Sequence, residues 1–405
     1  MKIKNLYHNN PTATTFGGHI LIYTLMIVVL FLAQSLLDDY LLRVFNNILI
    51  FVILAVSYNL INGVTGQLSL EPNGFVAIGA YVTALMLLDS EAKLSMFQLS
   101  DPHPFVLSMY SELLPALLCG GLVATFISIL LAFPVFRVRG DYLAIVTLGF
   151  GFIIKILATN NPEWTNGAIG LNEIPNNSDS IINSIQVFML SITNSQNTPE
   201  IIKSLVSYLY TRSFENGSNI TILFWSGIIA TASVILILQI VYSKFGRAMK
   251  AVRDDEDAAI AMGINTFKIK TFAFSTSAFL EGIGGGLMAV WLTTIDPKIF
   301  GFELTFQLLI IIVLGGLGST TGAILGTILV IGGGEWLRFL DQPLVFFGTD
   351  FGSYPGLRMV FFSLILLCIM LFAREGIMGK KELWDLSPTK KFLKARNGIA
   401  RAKRR

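Results

Sequence analysis

Apolar residues along this chain gather into continuous runs rather than into alternating or one-sided stripes. Ten runs predict membrane-spanning helices, at about 19–37, 41–61, 74–88, 113–135, 142–158, 220–242, 270–293, 304–318, 320–338 and 356–373. A helix needs about 20 predominantly apolar residues to cross the hydrocarbon core, so the third and eighth runs are short for the task. Helices satisfy their own backbone groups, which is why runs of this kind take helical form in lipid. The expected fold is all-α, a polytopic transmembrane helical bundle of about ten membrane segments, some short or interrupted.

The polar intervals set the orientation. Lys2 and Lys4, Arg137 and Arg139, then Lys244, Arg247, Lys250 and Arg253, and finally the C-terminal tail all fall on one side of the predicted membrane. Basic loops mark the cytoplasmic side, which places both termini inside. The opposite face carries Asp38 and Asp39, the acidic 89–101 region, and an Asn- and Ser-rich loop at 160–219. Within that loop SIINSIQVFMLSI and IIKSLVSYLY read either as short interfacial amphipathic helices or as a poorly ordered insertion. The expected organisation is a transmembrane domain over 1–379, containing the extracytoplasmic loop 160–219 and a cytoplasmic loop 244–268, followed by a basic cytoplasmic tail at 380–405.

Composition agrees with this class. Charged residues make up 14% of the chain and hydrophobic ones 53%, against about 25% charged in ordinary globular proteins. The net charge of +3 is concentrated in the tail. A polybasic end on a multi-span chain points to topology and an anionic leaflet rather than to nucleic acid. The first apolar run is too long for a signal-peptide core and reads as a retained span. Cys119 and Cys368 sit inside apolar runs, as small buried hydrophobes do. No phosphate-binding G-x-x-x-x-G-K-[ST] loop is present, since Gly379-Lys380-Lys381 lacks both the spacing and the hydroxyl residue. The histidines are His8, His19 and His103, with no H-E-x-x-H, so no metal, cofactor or catalytic set is expected and the chain has no ATPase motif of its own.

Against this apolar background GRAMKAVRDDEDAAIAMGIN, from Gly246 to Asn265, stands out. Its cations come first and its anions, Asp254 to Asp257, follow, which suits one helix ending in bases and a second opening with acids. The second helix is expected over about 255–262, closed by Gly263. Two turns are marginal alone. Ala258, Ala259 and Ala261 allow close approach, with Ile260 and Met262 as anchors, so the segment reads either as a knob for a partner's groove or as a solvated connector.

Two stretches look like interrupted helices, where freed backbone groups can meet a polar solute. One runs from Asn62 through Gly66, Glu71 and Pro72 to Asn73 and Gly74; the other runs from Gly315 through Ser319 and Thr320 to Gly322. The competing reading is close helix packing, as at Gly282 and Gly286 or Gly318 and Gly322. Glu281 lies well inside the seventh run, and an ionisable residue at that depth faces either a polar passage, a subunit interface or a hydrogen-bonding neighbour. Candidate pathway residues are therefore Asn62, Gly66, Glu71, Asn73, Glu281, Ser319 and Thr320.

Four stretches carry a resemblance: NLINGVTGQLSLEPNGFVAIGAYVTALMLL, RVRGDYLAIVTLGFGFIIKIL, the 246–265 segment, and FGFELTFQLLIIIVLGGLGSTTGAILG. In this order the chain resembles the membrane permease subunit of branched-chain amino acid ABC importers, with urea and short-amide permeases of similar pattern. The resemblance implies that Asp257, Ala258, Ala259 and Gly263 match a coupling motif, so that Gly246, Arg247, Lys250, Arg253, Asp254, Asp257, Ala258, Ala259 and Gly263 transmit force from ATPases. It also implies two ATP-binding subunits, a second homologous permease subunit, an extracytoplasmic solute-binding protein, and residence in the bacterial inner membrane. The chain departs from the family pattern at Glu71-Pro72, where a Gly-His pair is usual, and at Phe152, where an acid is common; both weaken any transfer of solute identity. The alternatives are an ion-coupled secondary transporter with Glu281 at its coupling site and, beyond that, a membrane enzyme or structural subunit.

Overall fold

The computed structural model describes residues 37–137, 142–175, 220–338, 356–373, 375–379 and 381–382, with isolated positions besides. Apart from isolated positions, the expected first span at 19–37, the two amphipathic segments of the outer loop and almost all of the basic tail lie outside the described residues.

The first long helix, α1, covers Asp39–Asn59 and continues as one π-helical turn over Leu60–Val64. An extended stretch leads to α2, Pro72–Leu87, which opens with proline at its first position, where the missing N–H costs nothing. Two short helices follow, α3 (Ser90–Met96) and α4 (Pro104–Ser108). They are stapled by the buried Lys93, whose ammonium donates to the carbonyls of Val106 and Met109. Then come α5 (Leu113–Val135), α6 (Tyr142–Asn160) and the single turn α7 (Pro162–Thr165). The second half holds α8 (Ile220–Tyr242), α9 (Lys244–Asp254), α10 (Glu256–Ala261), α11 (Thr266–Leu292) and α12 (Phe302–Gly315). It ends with α13 (Thr320–Thr327), a second π turn at Ile328–Gly332, α14 (Gly333–Trp336) and α15 (Leu357–Phe372). A two-residue antiparallel pair, Val345–Phe346 with Thr349–Asp350, is the only sheet among the described residues.

Among the described residues, five helices are long and apolar enough to cross a membrane, or seven if each of two bent pairs counts as one span. The eighth and ninth expected runs form one such pair: α12 and the α13–α14 arm meet at 119°. Gly316 and Gly318, at φ +118° and +88°, make the turn, a backbone that side-chain-bearing residues rarely adopt. The other bend, 116°, separates α2 from α3. The tenth run forms α15, only 16 residues long.

The spans are not equal. Over its apolar window α11 is 83% buried and α1 78%, whereas α6 is 33%. The centre of the bundle is thus α1, α2 and α11, with α5, α6 and α8 around it. Outer faces of α5 and α6 present Leu122, Phe126, Leu130, Ile145, Phe152 and Ile153, an apolar surface matched to lipid. Phe152, one of the departures from the family pattern, therefore sits on the outside of the bundle. The described start of the outer loop is tied down: Leu171 and Ile295 exchange backbone hydrogen bonds of 2.8 Å, and Ile174 N–H donates to Thr293.

Candidate functional site

The 246–265 segment folds as a helical hairpin. Ser243 caps α9 by accepting from the N–H groups of Phe245 and Gly246. Asp255 ends α9 and caps α10 in the same stroke, accepting from Ala258 N–H at 2.9 Å. The sorted charges serve as expected: Arg253 lies in the last turn of α9, and Glu256 and Asp257 in the first turn of α10. Gly263, at φ +80°, closes α10, with its N–H on Ile260 and Ile264 N–H on Ala259. Asn265 then caps α11, and Lys270 pairs with Glu256 at 2.7 Å. These contacts hold the two-turn helix that would be marginal alone.

The hairpin has an inside and an outside. Gly246, Met249, Val252 and Ala259 are buried; a Cβ on Gly246 would overlap the Val241 carbonyl. Arg247, Asp254, Asp257, Ala258 and Gly263 are exposed, while Lys250 is half-buried above the Tyr242 ring. The tip presents Ile260 at 47% and Met262 at 82% exposure. Ala258 and Ala259 thus divide between the two sides rather than forming one small-residue face.

The first break is a closed loop. Asn62 accepts from Ser69 N–H at 3.0 Å and donates back to its carbonyl, and the Tyr58 hydroxyl donates to that same carbonyl at 2.7 Å. Pro72 and Asn73 form the first turn of α2; Asn73 donates to the Phe300 carbonyl and its N–H to Thr305. Glu71 and Glu281 are both wholly buried and near enough to interact electrostatically. Ser277 donates to Glu281 at 2.9 Å and to the Ser57 carbonyl at 2.8 Å. Neither oxygen of Glu71 has a hydrogen-bond partner among the described residues.

The second break meets the first. Asn59 accepts from Gly318 N–H and donates to the Ser319 carbonyl, both at 3.0 Å. Ser319 caps α13 through Gly322 N–H. The carboxylate of Glu382 accepts from the N–H groups of Thr320 and Thr321 at 2.8 and 2.9 Å. Gly63 lies within the first interrupted stretch, but Asn59 and Glu382 are not among the candidates. Glu382 had a signal, an acid in a stretch of bases; the partner of Gly63, a distant arginine, had none.

The structure therefore gathers the candidate pathway residues into two groups. Asn62, Glu71 and Glu281 lie in the core around Tyr58 and Ser277, while Ser319 and Thr320 lie at the junction of the breaks and Gly66 lies under the Arg253 side chain. Asn73 stands apart, against the start of α12. All except Gly66 are buried within this one chain.

Residues 40–370 match the family model described as the branched-chain amino acid transport system permease component. The chain belongs to that family. It is 30% identical over 354 residues to the high-affinity branched-chain amino acid transport system permease protein LivM of Escherichia coli, covering 87% of this chain and 71% of that one. LivM of Salmonella typhimurium is also 30% identical, over 82% of this chain and 68% of its own. LivH of the same organism is 24% identical over 85% and 97%. No solved structure matches. Urea and short-amide permeases, open from the sequence pattern, have no counterpart among these relatives. Family membership makes the protein a multi-pass membrane permease.

One prediction concerns the core acid. Glu281→Gln keeps an acceptor for Ser277 and puts a neutral amide of the same size in place of a wholly buried carboxyl that faces no cation among the described residues, so its thermal midpoint in detergent should match the wild type. Glu281→Leu removes the acceptor, but Ser277 keeps Ser57, and the loss should be about 1 kcal/mol together with impaired transport. Wild-type stability and transport in Glu281→Leu would remove this residue from the candidates.

Proposed function

We propose that the chain is one permease subunit of an ATP-driven importer for branched-chain amino acids in the bacterial inner membrane. It works with a second homologous permease subunit, two ATP-binding subunits and an extracytoplasmic solute-binding protein. In this reading the basic segments and both termini face the cytoplasm, 1–379 is the permease domain and 380–405 its tail. Residues 244–268 receive the ATP-binding subunits, and nucleotide-driven closure rocks the spans between outward- and inward-open states. Solute shifts that balance only through differential affinity for the two states.

The observation that carries the reading is the rigidly capped hairpin with an apolar tip, in a chain of this family. A two-turn helix braced at both ends by Asp255, Gly263 and the Glu256–Lys270 pair can transmit a push without melting. Its exposed Ile260 and Met262 supply the anchors that a groove needs. Both side chains point away from the fold, so Ile260→Asp with Met262→Asp should leave the permease folded. Co-purification of the ATP-binding subunits should be lost, and ATP-driven leucine uptake in reconstituted vesicles should fall by about tenfold or more, as for interface hot spots. Undiminished recovery and uptake would reject this tip as the docking surface. Uptake by the isolated chain on an ion gradient would instead support a secondary transporter.

A further inference from the structure

Arg253 sits in the last turn of α9, yet its side chain leaves the hairpin and enters the junction of the two helix breaks. Its Nη1 donates to the Gly63 carbonyl at 3.1 Å, across 190 residues of sequence. Gly63 lies in the π turn that ends α1, among the last carbonyls of a helix, which lack intrahelical donors and favour a cation. The aliphatic stem passes over Gly66, where a Cβ would overlap Arg253 Cγ. The same Nη1 lies 3.2 Å from where a Cβ would stand on Gly318. On its other side the guanidinium donates through Nε and Nη2 to Asp254, at 3.3 and 3.2 Å. Arg253 is only 21% exposed, against 70% for Asp254.

We infer that Arg253 is the positioning residue through which the hairpin acts on both helix breaks, with Asp254 fixing the orientation of its guanidinium. The inference rests on the importer reading above and deepens it by naming the route of force. Displacement of α9 moves a charge that terminates α1, and through Gly318 it moves the turn that begins α13. Asn59 already bonds Gly318 and Ser319, so the two breaks respond together. The fork geometry is needed, because one donor must hold Gly63 while two others hold Asp254; an ammonium on a flexible stem cannot reproduce that.

The test uses the full importer, reconstituted with its ATP-binding subunits and binding protein in vesicles, and reads leucine imported per ATP hydrolysed. Arg253→Ala should retain the ATP-binding subunits and hydrolyse ATP, while uptake per ATP falls by about tenfold, within the usual range of coupling between sites. Arg253→Lys should recover part of that loss. A purely structural role would lower yield and thermal midpoint without changing the ratio. If Arg253→Ala does not assemble, Asp254→Asn, which keeps the arginine but loosens its fork, should show the same fall in smaller measure. An unchanged ratio in every variant that assembles overturns the role of Arg253 and leaves the importer reading intact. A wild-type chain that imports without ATP hydrolysis overturns both.

Discussion

Gly285→Leu is expected to prevent the permease from folding in the membrane. Gly285 lies in the last third of α11, and a Cβ there would overlap the carbonyl oxygen of Val76 in α2. The obstacle is backbone, with no side chain to rotate aside. The same crossing places Gly79 of α2 against the Gly282 carbonyl, and Gly282 in turn stands 3.0 Å, measured from its would-be Cβ, from the Gly120 carbonyl of α5. Three helices therefore meet at their backbones. Close approach through small residues is what holds helices together in lipid, where apolar burial against a neighbour differs little from burial in acyl chains. Separating α2 from α11 by a leucine should cost well beyond the about 1–3 kcal/mol of an overpacked core. The expected result is no monodisperse protein after detergent extraction. Gly149→Ala in α6, where nothing lies within 4 Å of the added methyl, is the control, and should be neutral or gain about 0.5–1 kcal/mol from helix propensity. A Gly285→Leu protein of wild-type yield and midpoint would show that this crossing does not decide the fold.

The same physics explains which parts of the molecule the sequence disclosed. Apolarity announces a helix in lipid, so the run expected at 113–135 is α5 itself, Leu113–Val135. Apolarity does not rank helices, since lipid and protein neighbours reward the same side chains. The clue to rank is steric: α11 carries Gly282, Gly284, Gly285 and Gly286 where it is buried, while α6 carries Phe152 and Ile153 on an exposed face. The hairpin was legible because it is local, with Asp255, Gly263 and Asn265 each capping within a few positions. The angle between α12 and α13 was not, because a glycine turn looks the same in sequence whether the chain continues across the membrane or folds back at 119°. The contacts of Arg253 with Gly63 and of Asn59 with Gly318 span 190 and 259 residues, and no periodicity encodes them.

Glu382 gives the second large effect. Helix α13 begins at Thr320 beside a glycine turn, and its first N–H groups have no intrahelical acceptors. The Glu382 carboxylate supplies them, binding Thr320 N–H through Oε1 and Thr321 N–H and hydroxyl through Oε2, the last at 2.6 Å. The segment that delivers it is fastened to the end of α12 by Ile377 N–H on Leu314 and Met378 N–H on Gly315. Glu382 is 5% exposed, so water does not replace it readily. Glu382→Ala strands the buried Thr320 N–H and takes the anion from the half-buried Thr321, whose hydroxyl still has Ser319 Oγ at 3.3 Å. At about 1–3 kcal/mol for the stranded donor plus the lost helix-start anion, the expected loss is about 2–4 kcal/mol, read as a fall in thermal midpoint and in folded yield. Glu382→Gln keeps acceptor oxygen but faces an N–H group with its own NH2 and forfeits the favourable anion at a helix start; it should fall between the two. Truncation after residue 380 should be at least as damaging as alanine, because it also removes the Lys381 carbonyl that accepts from Ser319 Oγ at 2.8 Å. Sited next to Gly318 and Ser319, the cap also fixes the turn against which Arg253 is braced, so the alanine variant that survives extraction should be uncoupled as well as unstable. A Glu382→Ala permease with an unaltered midpoint would mean that the second break is held by Asn59 and Ser319 alone.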